Sequence, residues 1–455
     1  MGDIFWHPGK ADKAARENNI GQKGLALWLT GPSGSGKSTL AAEAEAELMR
    51  MGFAACILDG DNLRHGLNSD LGFSKEDRDE NIRRIYETAN LFCEAGLIAI
   101  VAAISPYEKA RNEAKQKIGE ENFCEIYVKA GVEERKKRDP KGLYKRGVVG
   151  AEAPYEEPKN PEIVIDTQEL TVEMAVKVII CHVMEKQIGY LVPKILETAI
   201  RAAYDAGREI SDVYKKDFAV EYKDDNSPLT EADKRSNALI CGRLSKYAPY
   251  IDILAEESAD DKKRLSNKFC FIVDPLDGTK EFVKKNGEFT VNIGLAYENR
   301  PVMGVVYAPC INKMWYAAAG RGAYTADPND GIPALFDECA KIRTSDRTSE
   351  LTVVKSRSHS DERTEALLEK NKHRIKGLAD VGSSLKGCMI AEGAAEVYYR
   401  FGCTREWDTC AMQCVVEQAG GIFMQGDGSE MTYNRENSLN EKGFIILNRI
   451  ESKLE

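Results

Sequence analysis

Two groups of residues have types and spacings suited to phosphate chemistry. The first is Gly31-Pro32-Ser33-Gly34-Ser35-Gly36-Lys37-Ser38-Thr39, which fits the P-loop pattern of Gly, four residues, Gly, Lys, then Ser or Thr. Glycines let successive backbone N–H groups converge on a polyphosphate, and a helix starting there adds a favourable dipole. Gly31, Ser33, Gly34, Ser35, Gly36 and Thr39 would then line the phosphates of a nucleoside triphosphate. Lys37 would reach the β- and γ-phosphates, and the Ser38 hydroxyl would ligate Mg²⁺. Asp61, in Asp59-Gly60-Asp61, has three open readings: holding Mg²⁺ through water, taking a proton from an attacking hydroxyl, or capping the next helix. Clustered arginines follow, among them Arg64, Arg78, Arg83 and Arg84. They suit either a second anionic substrate gripped bidentately or i,i+4 pairs on a solvated helix face.

The second group is acidic: Asp233, Glu256, Asp274, Asp277 and Asp408. Two aspartates three apart, with a separate glutamate, suit hard divalent cations that want oxygen ligands. Asp-Pro-x-Asp-Gly is equally good turn chemistry, so that pair by itself leaves both readings open.

The elements that must position these groups are legible as apolar runs. Leu25-Ala26-Leu27-Trp28-Leu29 reads as a buried parallel strand, and a helical pattern from Thr39 to Leu48 follows the glycine loop. Further short strands are expected at 54–58, 97–103, 124–128 and 163–167, and a helix to about Lys186 closes this part. A helical pattern then runs from Tyr190 to about Lys215. Strands are expected over 251–258, delivering Glu256, and over 269–273, ending in Asp274-Pro275-Leu276-Asp277-Gly278-Thr279. Arg405-Glu406-Trp407-Asp408-Thr409 opens a later helix.

At 455 residues, 43% hydrophobic and 30% charged, the chain has material for two or three globular domains. Its formal net charge of -10 argues against a nucleic-acid-binding surface. Twelve cysteines occur without a Cys-x-x-Cys pair, as expected of free thiols in a reducing cytoplasm. No signal-peptide pattern and no bilayer-length apolar run is present. The expected location is cytoplasmic, with no membrane partner.

Residues from about Ile4 to Lys186 resemble adenylylsulfate kinase, which phosphorylates the 3′-hydroxyl of adenylylsulfate (APS) to give 3′-phosphoadenylylsulfate (PAPS). The resemblance is carried by the P-loop, by Asp59 through Leu67, by Asp70-Leu71-Gly72-Phe73-Ser74, and by Asp77-Arg78 with Glu80 through Arg84. Ile104-Ser105-Pro106-Tyr107 and Asp139-Pro140-Lys141-Gly142-Leu143-Tyr144 complete it. It implies that Arg64, Arg78, Asn81, Ile104, Ser105 and Lys141 contact APS, that Phe73 stacks on its adenine, and that Asp61 is the catalytic base with Lys37 as charge clamp. The family's lid carries an aromatic after this last segment; here residues 145–156 are shorter and hold no Phe, leaving Tyr155 or a partner subunit as candidate replacements.

From about Ile188 to Ile450 the chain resembles the Mg²⁺-dependent, lithium-sensitive phosphomonoesterases related to inositol monophosphatase. Ser356-Arg357-Ser358-His359, residues 381–388 and residues 391–402 look most like 3′(2′),5′-bisphosphate nucleotidase, which converts adenosine 3′,5′-bisphosphate (PAP) to AMP. The resemblance implies Glu256, Asp274, Asp277, Asp408 and the Leu276 carbonyl as metal ligands, and Asp233 with Thr279 as the pair that activates water. Gly278, Thr279, His359, Ser384, Lys386 and Arg400 are its phosphate or nucleotide candidates.

The expected fold is therefore α/β twice over. Residues 1–187 form a P-loop parallel sheet with flanking helices, and residues 188–455 an inositol-monophosphatase-like layered α-β-α-β sandwich. The expected activity is 3′-phosphorylation of APS with ATP and hydrolysis of the 3′-phosphate of PAP, with Mg²⁺ in both domains. The resemblance also allows a homo-oligomer through the kinase part. The alternative is an inositol monophosphatase-type phosphatase fused to a catalytically weak nucleotide-binding regulatory domain.

Overall fold

The computed structural model describes residues 7, 9–138, 155–223, 228–328, 340–358 and 362–455. The chain divides into two compact units, Met1–Leu191 and Val192–Glu455.

Five parallel strands build the first unit: β1 Leu25–Thr30, β2 Ala55–Asp59, β3 Ile98–Ala102, β4 Phe123–Lys129 and β5 Ile163–Asp166, in the order β2-β3-β1-β4-β5. Every side chain of the central β1 is buried, which is why its sequence is continuously apolar rather than alternating. Ala26 and Trp28 share a core with Ile82, Ile85 and Ala89 of the helix Lys75–Glu94. The neighbours of β1 are β3 and β4, from the two halves of the sheet, so the crevice beyond its carboxyl end is a topological switch point. The glycine loop emerges there and runs directly into the helix Lys37–Arg50.

The helix Ile188–Tyr214 starts within the first unit and continues into the second. A small hairpin follows, β6 Val220–Tyr222 with β7 Pro228–Thr230, then the helix Glu231–Tyr247. A seven-stranded sheet comes next: β8 Asp252–Ala255, β9 Phe269–Asp277, β10 Thr290–Tyr297, β11 Arg300–Ala308, β12 Lys313–Ala318, β13 Gly322–Ala326 and β14 Ala340–Ile342. It is antiparallel except where β8 joins β9. The second sheet holds β15 Leu351–Ser356, β16 Ile375–Val381, β17 Val397–Arg400, β19 Ile422–Gln425 and β21 Phe444–Leu447, in the order β16-β15-β17-β21-β19. β18 Thr404–Arg405 pairs separately with β20 Leu439–Asn440.

The layering is visible in β11. On one face, a Cβ at Gly207 of the long helix would lie 2.3 Å from the Tyr307 ring; on the other, a Cβ at Gly304 would lie 2.2 Å from the Ala411 carbonyl. Ala411 belongs to the helix Glu406–Gln418, which with the helix Leu385–Ala391 fills the space between the sheets. Cys388, Cys410 and Cys414 share one core with Ile272 and Val306 of the first sheet and Tyr398 and Ile446 of the second. The result is the expected α-β-α-β sandwich.

One element differs from the expectation. β9 does not stop at Val273; it runs through Asp274-Pro275-Leu276 to Asp277. Pro275 lacks an N–H, and the pairing with β10 shifts register between Thr290 and Asn292 to accommodate it, setting Asn292 opposite Asp274 and Thr290 opposite Asp277.

Candidate active sites

In the first unit, Gly31, Gly34 and Gly36 all have positive φ (154°, 80° and 105°), the backbone geometry a phosphate-cradling loop needs. Lys37 curls back over this loop, its Nζ donating to the carbonyls of Gly31 at 2.8 Å and Pro32 at 2.9 Å. Ser38 Oγ donates to Asp59 Oδ2 at 2.7 Å, and Asp59 Oδ1 accepts from the backbone N–H groups of Asp61 and Asn62. Asp59 thus ties the loop to the end of β2, a role its place in the Asp-Gly-Asp motif did not distinguish from that of Asp61. Asp61 stands at the N-cap position of the short turn Asn62–His65 but makes no side-chain capping bond, which removes capping from its three readings.

The expected second-substrate residues divide. Arg64 donates to the carbonyls of Leu71 and Gly72, and its guanidinium lies 4.6 Å over the ring of Phe73, itself 70% exposed. The Arg78 guanidinium has no ion pair or hydrogen bond among the described residues, its backbone N–H donating to the Ser74 carbonyl, whereas Arg83 and Arg84 are engaged by Glu80 and Asp70 as an ordinary charged helix face. Asn81 is buried and accepts from Asn68. Ile104 is exposed, but Ser105 is fully buried, with its hydroxyl bound to Trp28 Nε1 and Thr30 Oγ1, so that hydroxyl serves the core rather than a ligand. Tyr155 is no free replacement for the lid aromatic: its hydroxyl lies 3.0 Å from Thr30 Oγ1 and its ring stacks on Tyr127. Lys141 and the lid residues 145–154 lie outside the described residues.

In the second unit, Asp274, Asp277 and Asp408 each present a carboxylate oxygen, all within 4.8 Å of one another. Their positions follow from the fold: two from the bulged end of β9, one from the first turn of the helix Glu406–Gln418, where Asp408 accepts from the Arg405 N–H at 2.6 Å. Glu256, one residue past β8, donates its N–H to the carbonyl of Val273, the residue before Asp274, at 3.1 Å. Burial, then mutual repulsion, raises the Asp274 carboxyl well above its usual range and Asp408 to about 8. Four carboxylates so disposed match the donor set of divalent cations.

Asp233 is buried beside them. Its Oδ2 accepts from the Thr230 N–H and hydroxyl, and its Oδ1 lies 3.1 Å from Thr279 Oγ1, which also lies 3.2 Å from the Leu276 carbonyl. Gly278, at φ 93°, leads into the short helix Thr279–Val283. Lys386 is buried with its Nζ 2.6 Å from the Ser383 carbonyl, and burial pushes it down to about 8. Arg400 is the last residue of β17, opposite Phe444 of β21. Ser384 turns to Asp277 at 2.8 Å. His359 lies outside the described residues. Two participants carried no sequence signal: Lys223, bound to Glu256 and Glu257, and Asn292, bound to Asp277. Only strand pairing across a bulge and a hairpin neighbour bring them in.

A phosphate-binding glycine loop at a parallel switch point, followed by a buried acidic cluster in a layered sandwich, defines a nucleotide kinase unit joined to a metal-dependent phosphatase unit. The chain belongs to the inositol monophosphatase family, whose model matches residues 192–453, and to the adenylylsulphate kinase family, whose model matches residues 23–166. A probable adenylyl-sulfate kinase of Halalkalibacterium halodurans is 50% identical over 190 residues, 40% of this chain and 91% of that protein. The adenylyl-sulfate kinase of Staphylococcus epidermidis is 47% identical over 191 residues, 40% of this chain and 96% of that protein. The crystal structure of CysQ from Bacteroides thetaiotaomicron, described as a bacterial member of the inositol monophosphatase family, is 37% identical with a TM-score of 0.50, covering 55% of this chain and 96% of that one. No helix among the described residues is long and apolar enough to cross a membrane.

Proposed function

We propose that this chain is a bifunctional enzyme of sulfur assimilation, dividing at about residues 187 and 188: the first part phosphorylates the 3′-hydroxyl of APS using ATP, and the second hydrolyses the 3′-phosphate of PAP to AMP. The observation that carries the reading is the coexistence, in one chain, of a P-loop whose Ser38 is held by Asp59 and a three-aspartate cluster within 4.8 Å.

In the kinase, the loop N–H groups and Lys37 hold the triphosphate, and Arg64, Phe73 and Arg78 receive the sulfonucleotide. Asp61 accepts the proton as the 3′-oxygen attacks the γ-phosphorus, and ADP leaves. Little covalent chemistry is asked of the protein; positioning and charge neutralisation supply the rate. In the phosphatase, Glu256, Asp274, Asp277, Asp408 and the Leu276 carbonyl would hold Mg²⁺. When bound, such cations neutralise the phosphate and acidify water. Thr279 Oγ1 orients the attacking water, the buried Asp233 takes up its proton through the Thr279 hydroxyl, and the bond from phosphorus to the 3′-oxygen breaks, the oxygen leaving with AMP and taking a proton from solvent. Gly278 and Thr279 hold the phosphate oxygens.

The test is product analysis of the full-length protein. ATP with APS and Mg²⁺ gives ADP and PAPS, and PAP with Mg²⁺ gives AMP and phosphate. Faster phosphate release from inositol monophosphate than from PAP, with no ADP formed from ATP and APS, contradicts the proposal.

A further inference from the structure

Three buried polar side chains converge on one oxygen of a carboxylate in the acidic cluster. Asp277 Oδ2 lies 2.8 Å from Ser384 Oγ, 3.2 Å from Asn292 Nδ2 and 3.4 Å from Thr290 Oγ1. Asn292 Nδ2 also lies 2.9 Å from Ser384 Oγ, and Thr290 Oγ1 lies 3.0 Å from Asn292 Oδ1. Thr290, Asn292 and Ser384 are each at most 1% exposed.

Counting protons orders this network. A hydroxyl has one proton and an amide nitrogen two. Thr290 donates to the Asn292 carbonyl oxygen, the shorter of its two options. That fixes the amide orientation, so Asn292 donates one proton to Asp277 and the other to Ser384. Ser384, accepting from Asn292 on one lone pair, donates its single proton to Asp277 at 2.8 Å, the shorter of its options, the other being the Asp408 carbonyl at 3.3 Å. Two donors, the Ser384 hydroxyl and one Asn292 N–H, thus reach Oδ2 and hold the carboxylate against rotation, leaving Oδ1 as the oxygen without a donor from this network. The bulge at Pro275 makes the geometry possible, because it moves Thr290 opposite Asp277 and Asn292 opposite Asp274.

We propose that Asn292 and Ser384 are positioning residues that fix Asp277 as a preformed divalent-cation ligand, and that Ser384 does not contact the nucleotide. This rests on the phosphatase reading above. Outer-shell partners of this kind are typically worth 10- to 100-fold in metal affinity.

Calorimetric titration of the full-length protein with Mg²⁺ alone tests it, with Asp274→Asn identifying the heat that belongs to this site. Ser384→Ala, which removes one oxygen, and Asn292→Leu, which keeps the shape, should each weaken Mg²⁺ binding roughly 10- to 100-fold. The KM for PAP at saturating Mg²⁺ should stay as in the parent, and Ser384→Thr should recover most of the affinity. Unchanged Mg²⁺ affinity in both folded variants overturns the inference. A raised KM for PAP with unchanged Mg²⁺ affinity also overturns it, returning Ser384 to the nucleotide. Absence in the parent protein of both Mg²⁺ heat and any Mg²⁺-induced rise in unfolding temperature overturns the phosphatase reading itself, and this inference with it.

Discussion

Lys223 Nζ lies 2.7 Å from Glu256 Oε1 and also binds Glu257, placing an ammonium at the edge of the carboxylate cluster. The contact holds one carboxylate of the proposed metal set by a cation of the protein's own, so Lys223 and a divalent cation compete for Glu256. Lys223→Met should lower the Mg²⁺ concentration for half-maximal PAP hydrolysis. It should also reduce metal-free stability by about 1.5–3 kcal/mol, the range for a hydrogen bond to a charged group. Metal titrations of activity and metal-free thermal unfolding check both. A higher Mg²⁺ requirement in the variant would show that Lys223 assists the cation instead of opposing it.

The acidic cluster also sets a pH dependence. Burial, and then the charge of Asp277, lifts Asp408 from 3.8 to about 8. Between those values the folded, metal-free protein retains a proton that the unfolded chain has released. The associated stability is full below the lower value and is lost as pH rises through the upper one. Metal-free unfolding of the second unit, followed in the full-length protein, should therefore shift to lower temperature from about pH 6 to about pH 9. Mg²⁺ should restore more at the higher pH, and its binding should release protons. A metal-free unfolding temperature that rises over this window contradicts the assignment.

Tyr155 supplies a test in the first unit. Its hydroxyl bonds to Thr30 and its ring lies on Tyr127, so it braces the sheet rather than covering adenine. Tyr155→Phe should cost about 1 kcal/mol of stability, the worth of one hydrogen bond, with the KM for APS unchanged. A raised KM at unchanged stability would make Tyr155 part of the substrate site.

The strands of the first unit were legible because buried parallel strands are continuous apolar runs, and the P-loop because glycine spacing records the backbone geometry directly. Asp274 and Asp277 were legible as acids but not as strand residues, since Asp and Pro carry turn propensity and only pairing with Thr290 and Asn292 overrides it. Ser105 shows a side chain whose partners its motif did not reveal. A serine in a motif reads as a contact, yet its hydroxyl is spent on Trp28 and Thr30. Lys223 and Asn292 were invisible because nothing in spacing reports a partner brought in by tertiary pairing.

The central claim is two separable chemistries on one chain, and one substitution tests it most directly. Lys37→Ala should cut PAPS formation from ATP and APS by on the order of 10²- to 10³-fold, the range for removing a preorganised charge partner of the transition state. Chromatography of the full-length variant's products should show AMP released from PAP at the parent rate in the same preparation. Loss of both activities in a folded Lys37→Ala protein, or PAPS formed at the parent rate, contradicts the account.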